Sequence, residues 1–233
     1  MADATEHPAW LVGTGLETDM SPDTTPSAGK SMRYWMPKGT EREVIFLTEG
    51  NRAQGIWEHQ VKLGGKWQNW FTCLEPLGVR CPLCKWAEEN DGQFRRYKGL
   101  FFTVVDCHEF EDRTGRKRSN EVRLMCCKKD TAEILKRKYL ARLESDEGLK
   151  GAMFKIYRPN SDKSASVGED FEFRKMIDLS TLPDSNEVDY ISLLQPSAEK
   201  VNEAYARICR ENGRMEADHA TGSSDGSSSE VPY

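Results

Sequence analysis

The stretch from His59 to Cys84 constrains the fold of this chain more than any other, because it holds one imidazole and three thiols in a short segment. The four side chains are His59, Cys73, Cys81 and Cys84. Zinc binds four nitrogen or sulfur ligands in a tetrahedron, and a Cys-x-x-Cys turn presents two thiolates to one ion. Four protein ligands leave no position for a water molecule. The spacing therefore predicts one structural zinc ion per chain rather than a catalytic metal.

Two consecutive glycines, Gly64-Gly65, predict a tight hairpin inside this stretch, since they supply the positive φ that a two-residue turn requires. In strict register across that turn, Cys73 pairs with Ile56 and points to the face opposite His59. A bulge in the hairpin, or a Cys73 that lies beyond the strand end, brings the thiol and the imidazole together. The predicted site therefore needs one of these two departures from regular pairing.

Other interpretations of the cysteines stay open at this point. If Cys73 and His59 do not meet, Cys107 or His108 is the next candidate for the fourth ligand. The Cys-x-x-Cys pair, with a short helix after it, is also compatible with thiol redox chemistry. A redox pair needs neither of the other two ligands nearby, so the metal site is the favoured hypothesis.

Length and composition limit the class of protein. The chain has 233 residues, of which 37% are hydrophobic, enough for one sizeable domain with tails. No apolar run approaches the roughly 20 residues of a membrane-spanning helix, and nothing resembles a signal peptide. Seven cysteines, an odd number in clusters, fit a reducing compartment and a metal better than a disulfide framework. We therefore expect a cytoplasmic protein with no membrane partner.

The net charge of −5 is distributed unevenly along the chain. Residues 1–29 carry five acidic and no basic groups, residues 30–178 carry 29 basic and 23 acidic groups, and residues 179–233 carry 4 basic and 10 acidic groups. A basic middle between acidic ends indicates a nucleic acid or another polyanion as the partner of the middle. An ordinary mixed surface is the simpler alternative.

The two ends of the chain contain few apolar residues, so we predict that residues 1–29 and 213–233 are disordered tails. The apolar patch Pro8–Val12 is an exception that can dock on the domain or on a partner. Between the tails we predict a binding domain at residues 30–178, with a zinc subdomain at about 56–90, and a linker with a C-terminal helix at 179–212.

Alternating and continuous apolar runs predict a β-rich α+β fold. The predicted strands are residues 43–48, 54–63, 66–72, 97–105, 121–127, 152–157 and 170–174. One internal helix is predicted from Asp130, the start of a capping-box-like sequence, to about Glu144, and a second from Ser197 to Asn212. A helix between the third and fourth strands is compatible with a five-stranded barrel of the OB type. Another small α+β sheet fits the same pattern.

Rings and cations are repeatedly adjacent in the basic middle of the chain. Cations bind the phosphates of single-stranded nucleic acid, and aromatic faces stack on its bases. The candidate nucleic-acid-binding residues are Arg33, Tyr34, Trp35, Lys38, Trp57, Lys62, Lys66, Trp67, Arg95, Arg96, Tyr97, Lys98, Arg116, Lys117 and Arg118. Among the aromatic residues we expect Tyr34, Trp35, Trp57, Trp67 and Tyr97 to be exposed, and Phe101, Phe102 and Phe171 to lie in the interior of the barrel.

No enzyme motif is recognisable in the chain. A zinc nucleobase deaminase needs a His-x-Glu sequence before its Pro-Cys-x-x-Cys, whereas here Val61 stands two residues after His59. No glycine-rich phosphate loop and no Ser-His-Asp order stands out. We therefore expect a binding protein and not an enzyme.

Several segments together resemble the phage-encoded single-stranded DNA-binding proteins, distantly including the helix-destabilising protein of T-even phages. The similar segments, within residues 32–175, are Met32-Arg-Tyr-Trp-Met-Pro, Ile56-Trp-Glu-His59, Lys66-Trp-Gln-Asn-Trp-Phe-Thr-Cys73-Leu, Cys81-Pro-Leu-Cys84, Phe101-Phe-Thr-Val-Val-Asp106 and Asp170-Phe-Glu-Phe173. The resemblance implies an OB-fold with an inserted zinc subdomain, and it implies that His59, Cys73, Cys81 and Cys84 are the ligands.

The tails depart from that family. Its basic N-terminal segment drives cooperative binding, whereas residues 1–29 are acidic here. Its acidic C-terminal tail recruits replication and recombination proteins, and residues 211–233, with five acids against one arginine, are a weaker version. We hypothesise a protein that coats single-stranded DNA during phage replication, recombination and repair. The alternatives are a zinc-stapled module that binds duplex DNA or protein, and a thiol redox protein.

Overall fold

A computed structural model describes residues 10–14, 33–111, 117–145 and 147–212 of the chain. Its strands and α-helices are, in chain order, β1 (Leu11–Thr14), β2 (Thr40–Phe46), β3 (Gln54–Leu63), β4 (Lys66–Thr72), α1 (Pro82–Glu89), β5 (Tyr97–Asp106), β6 (Phe110–Glu111), β7 (Lys117–Arg118), β8 (Glu121–Cys127), α2 (Lys129–Leu143), β9 (Ala152–Arg158), β10 (Asp170–Met176), α3 (Tyr190–Leu193) and α4 (Ala198–Glu211). The predicted strands are all present within a few residues of their expected ends.

One antiparallel sheet contains eight of these strands. Its main order is β1-β3-β5-β2-β9-β10, while β4 pairs with β3 and β8 pairs with β5. Strand β5 is the centre of the sheet, because residues 97–101 pair with β3, residues 104–106 pair with β2, and residues 100–106 pair with β8. The short strands β6 and β7 form a separate pair.

The fold is β-rich, with one open antiparallel sheet and several helices. Five strands follow the hydrogen-bonded order β8-β5-β2-β9-β10, and α2 connects β8 to β9. Within the described ranges no strand pairing joins β8 to β10, so a closed five-stranded barrel is not shown. In chain order these strands are β2, β5, β8, β9 and β10, so the predicted internal helix between the third and fourth strands is confirmed.

The main core lies between these five strands and α2. Phe46 packs edge-on against Phe102 and Phe154, with ring centroids 5.6 Å apart in both pairs. Phe154 also contacts Phe171, and all four rings are fully buried. Aromatic pairs in this geometry add to the stabilisation that burial of their area provides. Phe102 and Phe171 lie in this core as predicted, whereas Phe101 is buried on the opposite face of β5, outside it.

A second core forms where α1 and α4 pack on the β3–β4 hairpin. Its buried side chains include Val61, Leu63, Leu83, Trp86 and Ile208. Helix α4 begins as predicted, since the Ser197 side chain accepts a hydrogen bond from the backbone N–H of Lys200. At its other end, the Glu211 carboxylate accepts from the backbone N–H of Gly64 at the hairpin turn, at 3.0 Å. The C-terminal helix therefore closes over the segment that holds the cysteines.

Residues of the N-terminal strand β1 and of α3 cover the face of β3 and β5 that lies opposite the main core. Trp10 is buried against Ile56, Phe101 and Leu124, and β1 pairs with β3. Tyr190 and Leu194 complete this cluster. Part of the apolar patch Pro8–Val12 therefore docks on the sheet. Residues 1–9, 15–29 and 213–233 lie outside the described residues.

Helix α2 departs from its predicted start. It begins at Lys129 with Lys128 as the N-cap, and no side chain caps it, so Asp130 is a first-turn acid rather than the cap. Asp130 still favours the helix there, because a carboxylate near the N-terminus interacts well with the helix dipole. None of the helices in the described part of the chain is long and apolar enough to cross a membrane.

Truncation of Phe154 to alanine should destabilise the domain strongly. The ring is fully buried and contacts other phenylalanines, so Phe154→Ala should lower the free energy of unfolding by about 3–5 kcal/mol. Tyr157→Ala is the matched control, because Tyr157 lies on the same strand but is 40% exposed, and its loss should cost about 1 kcal/mol or less. Urea denaturation of both variants measures the difference, and equal losses would contradict the placement of this core.

Candidate metal site

A β-bulge in the hairpin decides where Cys73 points. Next to the turn the register is regular, with Leu63 opposite Lys66 and Val61 opposite Gln68. The register then shifts, so that His59 lies opposite Phe71. One extra residue of β4 is accommodated in this shift.

The shift places Cys73 opposite Trp57 instead of Ile56. The backbone N–H of Cys73 donates to the carbonyl oxygen of Trp57 at 2.9 Å, one residue past the end of β4. Trp57 and His59 share one face of β3 because side chains alternate along a strand. Both departures that the sequence left open are therefore present, and together they bring Cys73 to the side of His59.

The Cys-x-x-Cys sequence forms the start of α1. Cys81 is the N-cap residue and Cys84 lies in the first turn, with Pro82 as the first helical residue. The Glu75 carboxylate accepts a hydrogen bond from the backbone N–H of Cys81 at 2.9 Å, which fixes the loop before the helix. The positive end of the helix dipole favours anionic sulfur at this place.

Four ligand atoms converge on one point. Their mutual distances are all within 4.8 Å. His59 Nε2 lies 3.5 Å from the Sγ atoms of Cys81 and Cys84, and the Sγ atoms of Cys73 and Cys84 are 3.5 Å apart. A tetrahedral zinc ion with usual bond lengths separates sulfur from nitrogen by about 3.6 Å and two sulfurs by about 3.8 Å. The cluster therefore has the size that a tetrahedral metal ion requires.

The imidazole of His59 is held with Nε2 towards the sulfurs. Its Nδ1 lies 2.9 Å from the carbonyl oxygen of Phe94, which accepts a hydrogen bond from an Nδ1–H group. That bond fixes the tautomer in which Nε2 carries the free lone pair, as is usual for metal-binding histidines. Phe94 itself adopts a positive φ of 60°.

Without a metal ion, the clustered groups shift one another's pKa values in opposite directions. Hydrogen bonds from Cys73 and Cys84 lower the pKa of the Cys81 thiol, whereas the same crowding of sulfurs raises the pKa of Cys84. Burial alone lowers the pKa of His59, but hydrogen bonds and charge from Cys73 and Cys81 outweigh it and raise the pKa to about 9. A divalent ion takes the place of the shared protons and deprotonates the coordinating thiols.

The alternative fourth ligands lie elsewhere. Cys107 and His108 line a surface groove with Glu41, Glu43 and other residues, and neither belongs to the cluster. The adjacent Cys126 and Cys127 point to opposite sides of β8 as predicted, into two different cores. His59 is therefore the residue that the structure places with Cys73, Cys81 and Cys84.

Three of the predicted nucleic-acid-binding residues are buried. Tyr34 and Tyr97 are 3% and 2% exposed, so the expectation that they are exposed stacking rings is wrong. Tyr34 belongs to the main core, and the Tyr97 hydroxyl donates to the buried Glu58 carboxylate. Arg33 forms an ion pair with the same carboxylate and lies over the ring of Phe101. A buried carboxylate requires partners. Arg33 and Tyr97 provide them for Glu58 and so stabilise the sheet.

Other candidates are at the surface but apart from the hairpin. Trp35 is 55% exposed, and Lys38 pairs with the exposed Asp162. Lys117 and Arg118 are exposed and form ion pairs with Glu109 and Glu121 respectively. Arg116 lies outside the described residues.

The remaining seven candidates lie on the β3–β4 hairpin, in the turn before β5 and at the start of β5. Trp57 is half-buried against the second core, so the expectation that it is exposed is wrong. Lys62 lies opposite Trp67 in the hairpin, and the Trp67 ring contacts Phe94 edge-on at 6.2 Å. Phe94 is followed directly by Arg95 and Arg96. The Arg96 guanidinium lies 4.8 Å from the ring centre of Trp57, and Lys98 lies opposite Trp57. We call this set the ring-cation strip: Lys62, Lys66, Trp67, Arg95, Arg96, Trp57 and Lys98.

A groove of about 380 Å³ lies beside the cluster and part of the strip. It is lined by Glu75, Cys84, Ala87, Glu88, Gly92, Arg95 and Arg96. Sequence patterns could not reveal the supporting roles of the Glu75 carboxylate and the Phe94 carbonyl. The position of a backbone carbonyl cannot be recognised from the sequence. Glu75 is one of many acidic residues, and its hydrogen bond with Cys81 forms only when the loop folds.

Comparisons with known proteins add no relative. No model of a protein family matches the chain, and no curated protein matches it. The resemblance that the sequence analysis describes therefore stays a prediction, and the interpretation of the site depends on its own geometry.

Replacement of one ligand should abolish metal binding and lower the stability of the fold. Cys84→Ser should reduce bound metal from about one ion per chain to nearly none and lower the melting temperature by more than about 5 °C, because a structural ion contributes to folding free energy. Cys107→Ser is the control, since its half-buried thiol lies outside the cluster. Elemental analysis and calorimetry measure both effects, and a wild-type protein without metal whose stability equals that of Cys84→Ser would reject the site.

Proposed function

We propose that this protein binds single-stranded DNA with little sequence preference and that a structural zinc ion shapes the binding surface. The ring-cation strip is the observation that carries the proposal. Trp67 is 50% exposed, and Lys62, Lys66 and Arg95 beside it are exposed. Cations follow the phosphates, and rings stack on any base because every base has a π face.

Zinc is the proposed ion because of the donor set. Three thiolates and one imidazole suit zinc better than calcium or magnesium, which prefer oxygen ligands. Four protein ligands complete the coordination shell, so the ion would stabilise the hairpin, α1 and the loop between them without a catalytic water. The strip would then be held on a rigid base, since its residues lie on β3, on β4, in the turn before β5 and at the start of β5.

We also propose that the five strands β8-β5-β2-β9-β10 and α2 form an OB-type barrel, with the cysteine-bearing segment inserted between β2 and β5. The order of strands and the position of the helix support this interpretation, because an OB-fold is a partly open five-stranded barrel. Its loops commonly bind oligonucleotides. The inserted segment contributes most of the ring-cation strip.

In the cell, such a protein would coat single strands in the bacterial cytoplasm during phage replication, recombination and repair. The resemblance to phage proteins and the basic middle of the chain support this role. The acidic C-terminal residues would recruit replication or recombination proteins. Duplex DNA or protein binding by a zinc-stapled module is the competing outcome of the experiment below.

Tryptophan fluorescence tests DNA binding directly. Titration with single-stranded and duplex DNA of equal length, each at two salt concentrations, should give strong quenching for the single strand, weak quenching for the duplex and weaker binding at high salt. Trp67→Ala should weaken single-strand binding about 5- to 150-fold, since a stacked ring contributes roughly 1–3 kcal/mol.

The exposed ring of Tyr157, which is remote from the strip in the strand order, provides the matched control. Tyr157→Ala should bind single strands like the wild type. A preference for duplex, or equal losses in the two variants, would reject the strip as the binding surface. Absence of binding to either DNA would leave protein interaction as the function.

Removal of residues 213–233 should tighten binding to single strands at low salt. The deleted segment carries four acids and one arginine, and α4 ends at Glu211, beside the hairpin turn that carries Lys62 and Lys66. Its negative charge would compete with phosphates for these cations. The gain should disappear at high salt, and unchanged or weaker binding at low salt would reject the competition.

A further inference from the structure

Arg96 contacts the metal cluster and the strip at the same time. Its Nη1 group donates to the Sγ of Cys73 at 3.7 Å, and its guanidinium lies 4.8 Å from the ring centre of Trp57. Cys73 and Trp57 are themselves joined by a backbone hydrogen bond at 2.9 Å. The side chain therefore bridges a candidate ligand and a candidate stacking ring.

The charge of a loaded cluster makes this bridge favourable. Three thiolates and one neutral imidazole around a divalent ion carry a net charge of about −1. A guanidinium that donates to one of the thiolates balances this charge, and partners of this kind fix the ligands of metal sites. The half-buried position of Arg96 strengthens the attraction, because water screens it less than at an exposed site.

The same contact fixes the cation beside the ring. An arginine placed over a tryptophan face is attracted by the π electrons and still has donors for a phosphate. Lys98 also lies near the Trp57 ring, at 5.9 Å, and pairs with Trp57 across the sheet. The hydrogen bond from Arg96 to Cys73 is the contact that joins a cation beside this ring to the cluster.

We propose that Arg96 is a positioning residue that couples metal occupancy to single-stranded DNA binding. A bound ion keeps Cys73 as a thiolate, and the thiolate holds the guanidinium at Trp57. Single-stranded DNA then meets a cation that is already ordered. The coupling is reciprocal, so DNA must tighten metal binding by the same factor as metal tightens DNA binding. This inference rests on the proposed DNA-binding function.

Cobalt(II) in place of zinc makes the contact visible in the loaded protein. Arg96→Gln should move the sulfur-to-cobalt charge-transfer band to longer wavelength, because a thiolate without its hydrogen bond gives up an electron more easily. It should also weaken cobalt binding about 10- to 100-fold in a chelator competition. Lys98→Gln should leave the band and the cobalt affinity unchanged. A band in Arg96→Gln identical to that of the wild type would overturn the contact.

The coupling is measured by repeating the cobalt titration with a saturating thymidine oligonucleotide. The wild type and Tyr157→Ala should bind cobalt at least about 5-fold more tightly with the oligonucleotide than without it, and Arg96→Gln should show no gain. Equal gains in all three proteins, or no gain in a wild type that binds the oligonucleotide, would overturn the coupling. A wild type that does not bind it at all would refute the proposed function, while the band comparison still decides the contact between Arg96 and the cluster.

Discussion

The register shift between His59 and Val61 is the constraint on which the rest of the site depends. In regular register, the thiol of Cys73 and the imidazole of His59 would point to opposite faces of the hairpin. The extra residue in β4 disrupts the local ladder, which is unfavourable by itself. The convergence of the ligands and the packing of α1 and α4 on the hairpin offset that loss.

The cluster also organises the surface around it. The loop before α1 is fixed by Glu75, and the turn before β5 is fixed by the bond between Phe94 and His59. Arg95 and Arg96 follow that turn directly, so the position of two cations depends on the orientation of one metal ligand. A small domain with an open sheet gains from such a centre, because a bound ion adds folding free energy that the core alone does not provide. The stability of the domain and the position of these cations would thus both depend on the bound ion.

The sequence predicted the elements and the ligand set but left their geometry open. Alternation of apolar residues and the Gly64-Gly65 turn predicted the hairpin, and helical spacing predicted α2 and α4. The bulge was one of two options, because nothing in the residues of β4 specifies where an extra residue is accommodated. Tyr34 and Tyr97 were expected at the surface since they neighbour cations, but the neighbour of Tyr97 in space is the buried Glu58, which is distant in sequence. Contacts of this kind arise only after the strands have paired.

X-ray absorption spectroscopy at the zinc edge of the purified protein tests the central claim most directly. Our account predicts one zinc ion per chain with three sulfur ligands at about 2.3 Å and one nitrogen ligand at about 2.0–2.1 Å. The nitrogen contribution should disappear in a His59→Cys variant that still binds the ion. A shell of nitrogen and oxygen ligands alone, a fourth sulfur in the wild type, or no bound metal would contradict it.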